Sequence, residues 1–164
     1  MKRLPLATLL IAAFAASVAL PTYAIDISLK NAWMRPARAG SSAAAVYVDI
    51  TTDVPLKLVG GATSVAKSVG IVLVDQNPDG TTTDHPVKEA DILPGPPTRF
   101  AYNGSRIELR DLVEDCHPGG NVPVTLEFVD PKTNARHAIE IGVLVRGVIL
   151  PPAPDAGQKA DEPK

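Results

Sequence analysis

Cysteine is nearly missing from this chain: Cys116 is the only one in 164 residues. No disulfide can close within the chain, so its fold has to hold by packing, and the lone thiol is either buried or a liability. Motifs for catalysis are missing too. The three histidines, His85, His117 and His137, fall in different segments. No Gly-rich phosphate cradle, nucleophile elbow or zinc-spaced Cys/His set accompanies them, so the chain is not expected to be an enzyme. There is no excess of basic residues, which argues against nucleic-acid and anionic-membrane surfaces. No apolar pattern of helical period lasts a dozen residues, and no internal repeat is visible.

What is present begins with MKR, the apolar run LPLATLLIAAFAASVAL and PTYA. A positive start, an apolar stretch and a small residue at the cut predict a signal peptide over residues 1–24, cleaved after Ala24. Leu4 to Leu20, with Pro5 near its start and Pro21 closing it, is short for a membrane-spanning helix. No cysteine stands at the cut to carry a lipid, so the exported chain is expected to be soluble and periplasmic, with no integral membrane segment. Removing Lys2 and Arg3 leaves 14 basic against 18 acidic residues, a formal charge of −4.

The rest reads as one all-β domain over residues 25–149. Short runs rich in Val, Ile, Leu and Thr alternate with turn clusters: NPDG at 77–80, LPGPP at 93–97, NG at 103–104, HPGG at 117–120 and DPKTN at 130–134. Eight or nine strands at that spacing predict a two-sheet sandwich. The clearest hairpin is VPVTLEFVD with RHAIEIGVLV. Val122, Val124, Leu126 and Phe128 share one face of its first strand, and Ile139, Ile141, Val143 and Val145 one face of its second. From residue 150 the composition turns to LPPAPDAGQKADEPK, and 150–164 is expected to be a disordered Pro-rich tail. One strand is unusual: SRIELRDL puts Arg106, Glu108 and Arg110 on its polar face, where Thr, Ser or Lys would be ordinary.

The segments NAWMRPARAGSSAAAVYVDITT, LKLVGGATSVAKSVGIVLV, DHPV, NGSRIELRDL and VPVTLEFVD, in that order, resemble the periplasmic copper chaperone PCu(A)C family. The resemblance spans Ile25 to Gly147 and implies a cupredoxin-like Greek-key β-sandwich. Relatives deliver copper to cytochrome oxidase assembly and hold Cu(I) with two histidines and two methionines, soft donors that suit this ion. At the positions the resemblance assigns to those ligands, this chain has Val72, Asp84, Arg106 and Glu108. Composition points the same way, because after cleavage Met34 is the only methionine left.

The expectation is a divergent relative with no metal cofactor, its old pocket refilled by an ion-pair network of Asp84, Arg106 and Glu108. The competing arrangement leaves all three side chains in water. On the first reading the chain is a non-catalytic accessory module for a periplasmic or membrane-anchored protein partner. On the alternative it handles copper through a site around Cys116 and His117, or His85, since thiolate and imidazole are good copper ligands. A hard-cation site built from the carboxylates and His85 is weaker, because a neighbouring Arg repels such an ion.

Overall fold

The computed structural model describes residues 25–147. The expected signal peptide at 1–24 and the expected Pro-rich tail at 150–164 lie outside the described residues. Ten strands run in chain order: β1 Ile27–Met34, β2 Ala43–Thr52, β3 Leu56–Thr63, β4 Ala66–Gln76, β5 Thr82–Val87, β6 Ala90–Ile92, β7 Thr98–Phe100, β8 Arg106–Leu112, β9 Asn121–Val129 and β10 Arg136–Val145. No helix is found among the described residues.

Alternation dictates most of these elements. On β9 the even-numbered residues Val122, Val124, Leu126 and Phe128 are at most 5% exposed, while the odd ones face out. β10 pairs with it in antiparallel register from Arg136↔Val129 to Leu144↔Asn121. Ile139, Ile141, Val143 and Val145 pack into the same core. Asp130 tightens the connecting turn by accepting hydrogen bonds from the Lys132 N–H and the Thr133 hydroxyl, both 2.8 Å.

Hydrogen bonding runs without a break through β5-β4-β8-β2-β1-β10-β9-β3-β6, with β7 joining β2. Residues from β2, β8 and β4 share one buried cluster with residues from β9, β3 and β10. The sheet is therefore folded over on a single core as a cupredoxin-like sandwich, its two layers meeting at β1.

A bulge makes that junction possible. β1 pairs antiparallel with β2 from Ile27 to Lys30, slips in register, and resumes at Trp33 and Met34, which also pair in parallel with Leu144 and Val145 of β10. Asn31 sits in the slip at φ 55°, a left-handed conformation asparagine tolerates, and its side-chain amide donates to Asp49 Oδ2 at 2.8 Å. A second slip lies in β3 between Leu58 and Gly60. Beyond it Gly61 runs so close to β9 that a Cβ there would meet the Thr125 carbonyl oxygen inside van der Waals contact.

Candidate functional site

β8 separates its two faces cleanly. Ile107 and Leu109 are fully buried in the core, so Arg106, Glu108 and Arg110 project from the opposite side of the sheet. Across the ladder on β4, Arg106 stands opposite Val72, and Glu108 opposite Gly70. On the β2 side Glu108 and Arg110 stand opposite Ala45 and Ala43. β5 continues the same face, with Asp84 opposite Val74 and Pro86 opposite Val72. Val72, Asp84, Arg106 and Glu108 are thus neighbours on one outer face. Glycine and alanine on the adjoining strands leave room for the long side chains: a Cβ on Gly70 would lie 2.9 Å from the Arg110 guanidinium carbon.

Charge alternates along this face. Arg106 Nη2 donates to Asp84 Oδ2 at 2.6 Å, and its Nε and Nη2 donate to Glu108 Oε1 at 3.1 and 2.9 Å. Arg110 Nε and Nη2 donate to the other oxygen, Glu108 Oε2, at 3.4 and 3.3 Å. The order Asp84, Arg106, Glu108, Arg110 sums to no net charge. Glu108 is its centre: its side chain is 15% exposed and both its oxygens are taken. A lone exposed pair contributes about 1 kcal/mol or less, but this carboxylate is largely out of water and held from both sides. Val72, although outside the central core cluster, is 1% exposed. The aliphatic stem of Arg106, directly opposite, is long enough to help cover it.

Protonation follows the contacts. The hydrogen bond from Arg106 holds the Asp84 carboxyl below the usual carboxylate range, against a smaller opposing effect of desolvation. The Arg106 guanidinium is in turn held in its charged form, chiefly by Asp84. A lowered folded-state pKa means that the pair's contribution is complete above the unfolded carboxylate pKa and fades as pH falls through the folded one. In an NMR titration the Asp84 carboxyl is expected to have a midpoint below the ordinary range, and Arg106→Gln should return it upward. An unchanged midpoint in that variant would remove Arg106 as the cause.

The other candidates lie elsewhere. His85 is on β5 with Nε2 3.3 Å from Asp75 Oδ2, half exposed. Cys116 forms an isolated bridge with Ala37 and is 3% exposed in the core, whereas the next side chain, His117, is 79% exposed with Nε2 3.9 Å from Asp115. Burial first, then the charges of Asp115 and Glu114, push the Cys116 thiol up, away from the thiolate that binds metal. Among the described residues no three His, Cys, Asp or Glu side chains gather as a metal site would need. Met34 is fully buried.

Sequence reasoning did not foresee an aromatic group beside this face. The Trp33 and Tyr47 rings lie 4.5 Å apart, Tyr102 meets Tyr47 edge-on at 5.9 Å, and Arg35 and Arg146 cap Tyr102 and Trp33 at 4.4 and 4.9 Å. The Trp33↔Tyr47 register that creates it depends on the β1 bulge, for which the sequence carries no readable signal. Burial, opposed by the charge of Arg35, raises the Tyr47 pKa.

Comparison with known proteins places this geometry. The model of the LpqE-like family matches residues 27–138. A search of curated proteins finds no match. Among solved structures, the copper-bound PCuAC domain from PmoF2 is 22% identical, with a TM-score of 0.56 over 76% of this chain and 97% of that one. The apo PCuAC domain from PmoF1 is 21% identical, with a TM-score of 0.55 over 75% and 98%. The solution structure of CuI-DR1885 from Deinococcus radiodurans is 23% identical, with a TM-score of 0.54 over 82% and 85%. At these identities the likeness is one of fold.

Proposed function

The chain belongs to the LpqE-like family and has the fold of PCuAC domains, and from that premise we propose that it is a periplasmic accessory module that has lost the family's copper site. It works without catalysis, by binding a periplasmic or membrane-anchored protein. One observation carries this reading: the four positions that the PCu(A)C resemblance assigns to copper ligands hold Val72 and the bonded series Asp84, Arg106 and Glu108. A soft monovalent cation prefers thioether and imidazole donors. Here it would meet a guanidinium and two carboxylates already committed to it, with a buried valine alongside. The copper-bound PmoF2 domain and CuI-DR1885 share this fold, which supports reading these positions against a copper site.

The family's description is of lipoproteins. The one cysteine of this sequence, Cys116, is buried in the core.

A second reading keeps copper at Cys116 and His117, and it draws on one feature: both line an open cleft of ≈ 850 Å³. Competition of the exported protein against a Cu(I) chelator separates the two. No tight Cu(I) binding is expected. Tight binding abolished by Cys116→Ala would establish the second reading, and tight binding that persists in that variant would defeat both.

A further inference from the structure

Three rings and two guanidinium groups gather on the outer side of the sandwich, at the seam where its layers meet. Met34 and Val145 are paired and buried in the core, so their neighbours Trp33 and Leu144, also paired, project outward. Trp33 is opposite Tyr47 on β2, and one step past the Val46↔Ile107 pair sets Tyr47 beside Arg106 of β8. The row Leu144, Trp33, Tyr47 is therefore continuous with the outer face that carries the charged series. Tyr47 is 6% exposed yet lies outside the central core cluster, because the neighbouring rings cover it. Leu144 and Tyr102 remain 46% and 44% exposed. Apolar groups gathered in one exposed place mark an interaction site, whereas scattered ones do not.

Charge says what this surface takes. Arg35 lies over the Tyr102 ring and Arg146 over the Trp33 ring. Neither has a carboxylate within 4.0 Å among the described residues. The acids on the same face of β2 and β8 are already engaged, Asp49 by Asn31 and Arg99, Glu108 by Arg106 and Arg110. Glu140 on β10 is about 13 Å along the strand from Leu144. The rings hold the two guanidinium groups in place without neutralising them, so their donors are pre-organised for a carboxylate that another molecule brings. A cleft of ≈ 290 Å³ between Arg35 and Tyr47, lined also by Ala44 and Ala45, adjoins the rings and offers room for an anchoring side chain.

We infer that Trp33, Tyr102 and Leu144, with Arg35 and Arg146, form the docking surface for the protein partner of the accessory reading, on which this inference rests, and that the partner brings an acidic segment with an apolar anchor. Trp, Tyr and Arg carry most of the binding energy at protein interfaces, where large rigid groups exclude water from the contacts they surround. A bilayer is the poorer occupant, because the chain is negative overall and an anionic surface repels it.

Photo-crosslinking of the full chain in its native cells tests this, with p-benzoylphenylalanine at position 102 or 144, and at position 127 on the outward side of β9 as a control. Adducts are expected from positions 102 and 144 but not from 127, on a protein segment in which Asp and Glu outnumber Lys and Arg. Arg35→Glu with Arg146→Glu should cut their yield at least about tenfold, since like charges facing each other suppress docking. Lys132→Glu, the same reversal in the turn after β9, should leave the yield unchanged. Adducts on lipid, adducts on a second copy of this chain, a segment without an acidic excess, or a yield that answers equally to both reversals would each overturn the inference. Protein adducts from position 127 alone would also overturn it while leaving the accessory reading in place, and the lack of a protein adduct at all three positions would defeat both.

Discussion

The chain carrying Val72→His, Asp84→Met, Arg106→His and Glu108→Met is expected to bind Cu(I) at least about a thousandfold more tightly than its parent, a gain of about 4 kcal/mol. The placement of the four residues is the reason. Residues 72 and 106 are directly opposite on β4 and β8, residue 108 follows 106 on the same face, and residue 84 reaches that face from β5. Directly opposed side chains on a sheet start about 5 Å apart, so two imidazoles and two thioethers from these positions can close on one ion. The substitutions also remove Arg106, the cation that would repel it. Cys116→Ala in both chains keeps the thiol out of the comparison. Competition against a Cu(I) chelator reads the result, and affinities within about tenfold of each other would mean that these positions are not a displaced ligand set.

Gly61→Ala is expected to cost about 3 kcal/mol of stability, which lowers the melting temperature of a domain this size by about 10 °C. The added Cβ meets the Thr125 carbonyl, a backbone atom on the neighbouring strand that cannot rotate away. Relief requires β3 to separate from β9 just past the bulge at Leu58 and Gly60. Gly80→Ala is the control: Gly80 has φ 82° and nothing within 4 Å of its would-be Cβ, so only the backbone preference is lost, about 1 kcal/mol. Equal melting temperatures for the two variants would contradict the close approach of β3 to β9.

Strands with a long alternating pattern could be read directly from the residues. The inward rows of β9 and β10 are those that periodicity assigns. β6 escaped notice because Ala90, Asp91 and Ile92 alternate over only three residues, too few to register against the turn residues around them. The sandwich follows from the strand spacing, and the structure adds how its two layers are linked. Local pattern says which face of a strand is buried but not that one strand serves two neighbours, and β1 joins the layers into a single hydrogen-bonded sheet.

At the site, the charged row on β8 was visible as a period of two, and counting positions against the PCu(A)C pattern brought Asp84 to the same place. The part played by Arg110 and the space left by Gly70 were not visible, since both depend on the register of β4 against β8. Cys116 was legible only as an alternative between an apolar slot and a ligand. The structure puts its side chain in the core and that of His117 in solvent.

The double pairing of β1 also governs how the domain comes apart. Its last two residues, Trp33 and Met34, are bonded on one side to β2 and on the other to β10. Neither half of the sandwich can open there without stripping partners from the other, so partial opening is penalised and loss of structure becomes concerted. Amide protons at this seam should then exchange with solvent only in molecules that have unfolded throughout, while those of β5 and β6, each paired on one side alone, escape through local fraying.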